Sequence, residues 1–114
     1  MRAALDYFEG WFEGDVARME RALHPELAKR SLEMDPERVD TTTREWMVDA
    51  TREGLGRSQG EGDRRIEARV EDVYGDVASV TIRSTVYREY LHLVRTAEGW
   101  KIVNALWART HPRV

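Results

Sequence analysis

The spacing of the apolar side chains changes once along this chain, near residue 63. Before that point they recur every three or four residues, as on one face of an amphipathic helix. After it they alternate with polar residues, as in a strand with one buried face. Three helical segments followed by a four-stranded meander are typical of an α+β fold. The pattern therefore predicts helices packed against one face of a mainly antiparallel sheet.

The helical segments carry recognisable start and stop signals. Gly14 suits the end of the first helix, and Asp15 is a suitable N-cap for the second. Thr42 with Glu45 three residues later resembles a capping box, which predicts the beginning of the third helix. The predicted helices span residues 2–13, 16–23 and about 43–54.

The segment between the second and third helices is predicted to leave the helical conformation. His24 precedes Pro25, and a residue before proline avoids the helical region, so the second helix should end there. Residues 26–34 alternate and favour a short strand. One side of that strand would carry Leu27, Lys29 and Ser31.

The second half of the chain is predicted to form a Gly-rich loop followed by strands. Residues 54–63 are polar, contain four glycines and show no periodicity, so a mobile loop is predicted. Turns are expected at Gly75-Asp76 and at residues 97–99. The four predicted strands begin near residue 66 and then cover 78–83, 86–95 and 100–110.

Composition narrows the class of protein without indicating a function. The 114 residues suit one domain, 1–114, and the apolar content of 41% excludes a disordered chain. No apolar run is long enough for a membrane helix, and the net charge of −3 gives no reason to bind nucleic acid. Cysteine is absent and the three histidines are scattered, so we expect a cytoplasmic protein without a metal or cofactor.

The register of the last hairpin predicts which side chains share a face. With a tight turn at 97–99, paired positions sum to 195, and cross-strand partners point to the same side of the sheet. A one-residue bulge at Gly99 would exchange the two faces, because side chains alternate with a period of two. The predicted pairs are Leu93 with Ile102, Leu91 with Asn104, Glu89 with Leu106 and Tyr87 with Ala108.

Each predicted face contains residues that do not fit a simple core or a simple surface. The apolar face, which should pack on the helices, also carries Glu89 and Asn104, and carboxylates are rarely buried without partners. These two residues either pair or line a pocket. The opposite face carries too many large apolar side chains for a solvated surface and is predicted to form an isologous dimer. Its members are Arg88, Tyr90, His92, Val103 and Trp107.

Two segments carry a resemblance to a known family. YFEGWFEGDVARMERALHPELAKR at 7–30 has an aromatic-rich helix, a Gly-Asp junction and Leu-His-Pro. YLHLVRTAEGWKIVNALW at 90–107 has Tyr-Leu-His-Leu, a turn and Trp-Lys-Ile-Val-Asn. In this order and spacing they resemble the NTF2-like superfamily, also called SnoaL-like or cystatin-like α+β, and within it the group labelled "putative lumazine-binding". The resemblance implies a strongly curved sheet wrapped around the helices, an internal pocket and a dimer through the sheet.

The candidate pocket residues combine the register with this resemblance. Members of the family usually have Asp before Tyr-Leu-His-Leu, where this chain has Glu89. Tyr7 and His24 are the other candidates for chemistry, although core packing for Tyr7 and a helix cap for His24 are the simpler interpretations of their positions. The full set predicted to line the pocket is Tyr7, Trp11, His24, Trp46, Met47, Tyr87, Glu89, Leu91, Asn104 and Leu106.

Three functions follow from these residues. The first is a homodimeric protein that binds a small, partly aromatic molecule in the pocket. The second is a cofactor-independent isomerase, dehydratase or cyclase of the SnoaL or ketosteroid-isomerase type, in which Glu89 or His24 removes a proton and Tyr7 stabilises the oxyanion. The third is a purely structural or interaction domain with a closed interior, in which the aromatic face of the sheet is the important surface. Members of the superfamily differ widely in activity, so the fold alone does not decide among them.

Overall fold

The residues of this chain form three helices and one sheet in a computed structural model that describes residues 2–57 and 65–110. Within these ranges the elements follow the order α1, α2, β1, β2, α3, β3, β4, β5, β6. The helices are α1 (Arg2–Glu13), α2 (Val16–Ala22) and α3 (Arg44–Arg52). The strands are β1 (Leu23–Ser31), β2 (Asp40–Thr42), β3 (Glu67–Tyr74), β4 (Val77–Arg83), β5 (Tyr87–Thr96) and β6 (Gly99–Arg109).

The predicted helix signals are confirmed, with one shift. Gly14 has a φ of 70°, in the left-handed region that favours glycine, and the Asp15 side chain accepts a hydrogen bond from the Arg18 N–H at 3.2 Å. Helix α3 is capped by Thr43, whose hydroxyl accepts from the Trp46 N–H at 3.2 Å. The predicted cap, Thr42, instead ends strand β2. Thr43 can cap the helix in place of Thr42 because both side chains carry a hydroxyl that accepts a hydrogen bond from a backbone N–H.

The sheet has two strands more than the predicted meander. Its order is β2-β1-β6-β5-β4-β3. The meander β3–β6 is antiparallel as predicted, and β1 lies parallel to β6. The predicted strand 26–34 is real but begins at Leu23, directly after α2, and β2 was not predicted. The α+β class with helices against one face of a curved, mainly antiparallel sheet is confirmed.

A one-residue bulge in β6 changes the predicted register. The first four pairs, from Thr96 with Gly99 to Leu93 with Ile102, follow the predicted sum of 195. His92 then pairs with Asn104, so that Val103 is the extra residue and all later pairs are shifted by one. Because the side-chain period is two, β6 beyond Val103 presents the opposite side chains to each face.

The core lies between the helices and the inward face of the sheet. Large apolar side chains of α1 and α2 meet the inward residues of β4, β5 and β6. The buried positions of β4 and β5 recur every second residue, whereas those of β6 do not. An ion-pair cluster joins α1 to α2, since Arg18 contacts the buried Asp6 at 2.9 Å and Glu9 at 2.5 Å. The largest fully buried side chains include Tyr7, Phe12, Met19, Leu23, Met47, Ile82, Leu91, Leu93, Ile102 and Glu89.

The segment after α3 is held against α1. A Cβ at Gly56 would lie 2.1 Å from the carbonyl oxygen of Trp11, so only glycine permits this approach. Arg57 donates to the carbonyl of Glu13 at 3.0 Å. The rest of the predicted loop 54–63, from residue 58 onward, lies outside the described residues. Among the helices that the structure describes, none has the length and apolar character needed to span a membrane.

Candidate functional site

A cavity of about 630 Å³ opens between the helices and the inward face of the sheet. Its volume falls within the range of small-molecule sites, about 300–1,000 Å³. Helices α1 and α3 form one wall, and strands β1, β2, β5 and β6 form the other. The lining residues are Tyr7, Phe8, Trp11, Lys29, Ser31, Met34, Asp40, Thr41, Thr42, Thr43, Trp46, Met47, Leu55, Tyr87, Glu89, Trp107 and Arg109.

Three ionisable side chains meet in this cavity. The Tyr7 hydroxyl donates to Glu89 Oε1 at 2.8 Å, and Lys29 Nζ donates to the Tyr7 Oη. Lys29 Nζ also lies 3.7 Å from Glu89 Oε2. We call Tyr7, Lys29 and Glu89 the polar cluster. The Lys29 side chain is 11% exposed and that of Glu89 is 2% exposed, so Lys29 is the more accessible of the two.

Each member of the polar cluster is placed by the periodicity of its own element. Glu89 lies among the buried positions of β5, which alternate with exposed ones. Lys29 lies on β1 between the buried Leu27 and Ser31, so the strand directs its long side chain inward. Tyr7 is on the buried face of α1. Three different elements therefore converge, and only the folded chain brings them together.

Burial controls the protonation of the polar cluster. Desolvation raises the pKa of Glu89, although Lys29 and the Tyr7 hydroxyl oppose that shift. Desolvation lowers the pKa of Lys29, with Glu89 acting in the opposite direction. The pKa of Tyr7 is raised well above its usual value by burial and by the neighbouring carboxylate. The pKa values of the lysine and the glutamate thus move towards each other, which favours proton exchange between them.

Aromatic rings surround the ammonium group of Lys29. Its Nζ lies 5.0 Å from the centre of the Tyr7 ring and 5.3 Å from that of Trp107. Trp107 in turn packs edge-to-face on Tyr87 at 5.4 Å. Cation–π contacts of this kind hold a cation where water is scarce. The deep part of the cavity is therefore an aromatic cage with one amine and one carboxyl group.

The mouth of the cavity is less polar than its position at the surface would suggest. Trp46 is 50% exposed, and Met34 and Leu55 of the same lining are also exposed. Strand β2 adds Asp40 and Thr42 to the lining. The buried Thr42 hydroxyl has no hydrogen-bond partner within residues 2–57 and 65–110. A ligand with a polar group could satisfy this hydroxyl.

The structure brings most of the predicted pocket residues into the cavity. Tyr7 and Glu89 are in direct contact, and Asp40, considered as a mouth residue, is part of the lining. The predicted residues found in the lining are Tyr7, Trp11, Trp46, Met47, Tyr87 and Glu89.

The register shift places Asn104, Leu106 and Trp107 on the faces opposite to those predicted. Asn104 lies on the outer face, where its amide contacts His92 Nδ1 at 3.3 Å. Leu106 pairs with Tyr90 on that same face and is 54% exposed. Trp107, predicted at the dimer face, pairs with Glu89 and lines the cavity. The bulge at Val103 is the physical reason for all three corrections.

Two other predicted pocket residues lie outside the lining. His24 is at the beginning of β1, where its Nδ1 accepts the Glu26 N–H at 3.0 Å, so it serves the local turn. It is not the helix cap that was considered, because α2 ends at Ala22. Leu91 faces inward but is packed in the core, with only 1% of its surface exposed.

The sequence matches one known protein family. A sequence family described as "Putative lumazine-binding" matches residues 2–108. The chain belongs to that family. The resemblance carried by the two sequence motifs is thereby confirmed. No curated protein matches the chain at a significant level.

Solved structures agree with the fold of this family member. An NTF2-like protein of unknown function from Shewanella baltica is 15% identical, with a TM-score of 0.72 over 97% of this chain and 90% of the other. A similar protein from Silicibacter pomeroyi is 12% identical, with a TM-score of 0.70 over 94% and 89% of the two chains. A cystatin-like domain of unknown function from Nostoc punctiforme reaches 0.62 at 14% identity, over 96% and 74%. At these identities the likeness shows the fold alone.

Lys29 is the functional candidate that the sequence analysis of this family member missed. The sequence contained two signals for Lys29. The chain has 16 arginines and only two lysines, and Lys29 lies on the same side of the predicted strand as Leu27 and Ser31. An isolated lysine in a short strand normally points to solvent, and nothing local revealed that β1 lies inside the sheet. Two other lining residues were missed for similar reasons. The bulge in β6 places Trp107 in the cavity, and the short strand β2, which was not predicted, places Thr42 there.

A double-mutant cycle tests the coupling within the polar cluster. Lys29→Met leaves Glu89 without its counter-charge, and Glu89→Gln leaves Lys29 without its own, so each should lower the free energy of unfolding by about 3 kcal/mol. The double variant should lose less than the sum of the two, because it buries no unpaired charge. Urea denaturation measures all four proteins. Strict additivity would show that the two side chains do not interact as the 3.7 Å separation indicates.

Proposed function

We propose that this protein is a homodimeric pocket protein that binds a small, mostly apolar and partly aromatic molecule. The observation that carries the proposal is the 630 Å³ cavity, with aromatic walls and the polar cluster inside it. The lack of cysteine is consistent with the cytoplasmic location that we propose for it.

The chemistry of the lining supports a bicyclic or similar planar ligand with one polar group. Trp11, Trp107 and Tyr87 offer flat apolar contacts, and the polar cluster offers a hydrogen bond at one position. A wholly apolar ligand would exclude water from the polar cluster without offering it a hydrogen bond, which is unfavourable. Lumazine, which the family description names, is bicyclic and belongs among the compounds to be tested, although it has more than one polar group.

The outer face of the sheet is the surface proposed for the dimer. Tyr90 is 52% exposed and has Leu106 as its neighbour on β6 and Thr81 on β4. Four of the five predicted interface residues remain candidates there, namely Arg88, Tyr90, His92 and Val103. An isologous contact would cover the exposed Tyr90 and Leu106 side chains. It would leave the mouth of the cavity free, since the cavity is on the other side of the sheet.

A proton-transfer enzyme is the second candidate, favoured by the direct contact of Tyr7 with Glu89 at 2.8 Å. A carboxyl group with a raised pKa can accept a proton from carbon, and a tyrosine hydroxyl can stabilise the resulting oxyanion. An isomerase, dehydratase or cyclase of this type would use Glu89 and Tyr7. His24 is no longer a candidate base, because it lies outside the cavity lining.

Intrinsic fluorescence tests ligand binding directly. We expect 2-naphthol, a bicyclic phenol, to quench tryptophan emission saturably, because Trp11, Trp46 and Trp107 line the cavity. Trp107→Ala should raise the dissociation constant about fivefold through the loss of an aromatic contact worth about 1 kcal/mol. Trp100→Ala is the matched control, since Trp100 lies on the same strand outside the lining. Equal effects of both variants, or no saturation, would count against the pocket.

Sedimentation equilibrium tests the dimer. Tyr90→Asp introduces a charge at the proposed interface and should shift the protein towards the monomer, with 2-naphthol binding retained. Val39→Asp is the control, because Val39 is 59% exposed in the loop before β2, away from the outer face. A dimer that is unchanged by Tyr90→Asp would contradict the assignment of this face.

Deuterium exchange tests the enzymatic alternative. If Glu89 acts as a general base, the protein should accelerate exchange of the α-protons of 2-tetralone, a bicyclic ketone, in D₂O. Glu89→Gln should reduce that acceleration by about 100-fold or more. Saturable binding of 2-tetralone without any acceleration would remove the enzymatic alternative and leave the binding function intact.

A further inference from the structure

The amine of Lys29 has an environment suited to covalent chemistry, which neither of the two proposed functions assigns to it. Its Nζ lies in the cavity lining and contacts both Tyr7 Oη and Glu89 Oε2. Two aromatic rings flank it at 5.0 and 5.3 Å. Simple charge pairing does not require this arrangement, since a surface lysine could provide it without the cost of burial.

We propose that Lys29 is a site of reversible Schiff-base formation with an aromatic aldehyde or ketone. The inference rests on the proposed pocket function and names the chemical class of its ligand. A carbonyl compound whose ring lies against Trp107 would bring its carbonyl carbon to the one amine that lines the described cavity. Lysine amines in apolar pockets are the groups that form such adducts with carbonyl compounds.

The chemistry balances with the groups present. Glu89 accepts a proton from the Lys29 ammonium, and the amine lone pair forms the C–N bond while the carbonyl π-bond electrons move to oxygen. Transfer of a proton from the nitrogen to that oxygen gives the neutral carbinolamine. The proton that Glu89 took from the ammonium then joins the hydroxyl, which leaves as water while the C=N bond forms. The net change is one carbonyl compound and one amine converted to one imine and one water, with no oxidant or reductant. Glu89 and Tyr7 are the groups within reach to exchange the protons.

The protonation of the polar cluster is compatible with this sequence of steps. Burial lowers the pKa of Lys29 and raises that of Glu89, so the neutral pair is more accessible than it would be in water. Free amine is the reactive form, and aromatic surroundings keep competing water away.

The chain contains its own control for this reaction. Lys101 is the only other lysine, and its side chain is also 11% exposed and 3.7 Å from a carboxylate, that of Glu98. Its Nζ donates to the carbonyl of Arg21 at 3.0 Å, and it is not part of the cavity lining. The two lysines therefore match in exposure and in their distance from a carboxylate, and they differ in access to the cavity and in the burial of that carboxylate, which is 2% exposed for Glu89 and 82% for Glu98.

Reductive trapping tests the proposal. The protein is incubated with 2-naphthaldehyde and sodium cyanoborohydride, and the adduct is located by mass spectrometry of peptides. We expect the naphthylmethyl group on Lys29 at least tenfold above Lys101 and the N-terminal amine. Excess 2-naphthol should suppress it by competing for the cavity. Lys101→Arg should retain the adduct, Lys29→Arg should lose it, and Glu89→Gln should slow its formation about 100-fold.

The outcomes separate this proposal from the proposed function. Saturable binding of 2-naphthol with labelling spread equally over Lys29, Lys101 and the N-terminus would overturn the Schiff-base site and leave the pocket function intact. Labelling of Lys29 that 2-naphthol does not suppress would equally overturn it, because the adduct would then form outside the cavity. Should Lys29→Arg fail to fold, the distribution of label in the wild-type protein decides by itself.

Discussion

One extra residue in the last strand determines which side chains face the cavity. Up to Ile102 the hairpin β5–β6 follows the simplest register, and Val103 then shifts every later pair by one. The shift moves Asn104 to the outer face and Trp107 to the inner one. Without it, an amide would occupy the core and a tryptophan would be exposed, which is unfavourable on both sides of the sheet. The shape and the chemistry of the cavity both depend on this bulge.

The aromatic cage created in this way makes it possible to keep a lysine and a glutamate inside the protein. Burial of either charge alone would be costly, but each has the other at 3.7 Å, and Tyr7 contacts both. Replacement of such a pair by apolar side chains of similar volume often costs nothing, so fold stability is a weak reason for it. A cavity that positions an amine, a hydroxyl and a carboxyl group among aromatic rings is better suited to recognising or reacting with a ligand.

Much of the fold could be anticipated from local signals, because these depend on neighbours along the chain. Asp15 caps α2, and Gly14 and Gly75 adopt positive φ where a helix ends and a hairpin turns. The alternation in β4 and β5 matches their burial. What escaped prediction has no local signal. Strand β2 is three residues long, and the parallel pairing of β1 with β6 joins segments far apart in sequence.

The sequence by itself determined the α+β class, the approximate helix boundaries and the alternation that turns Glu89 inward, since helix caps and strand periodicity are local properties. It also carried the motifs of the family to which the chain belongs. Only the tertiary structure decided that Lys29 joins Tyr7 and Glu89, that Trp107 lines the cavity and that His24 does not. Those positions depend on the bulge in β6 and on the pairing of strands that are far apart in sequence. Because successive side chains of a strand point to opposite faces, a one-residue shift in register moves each side chain to the other face.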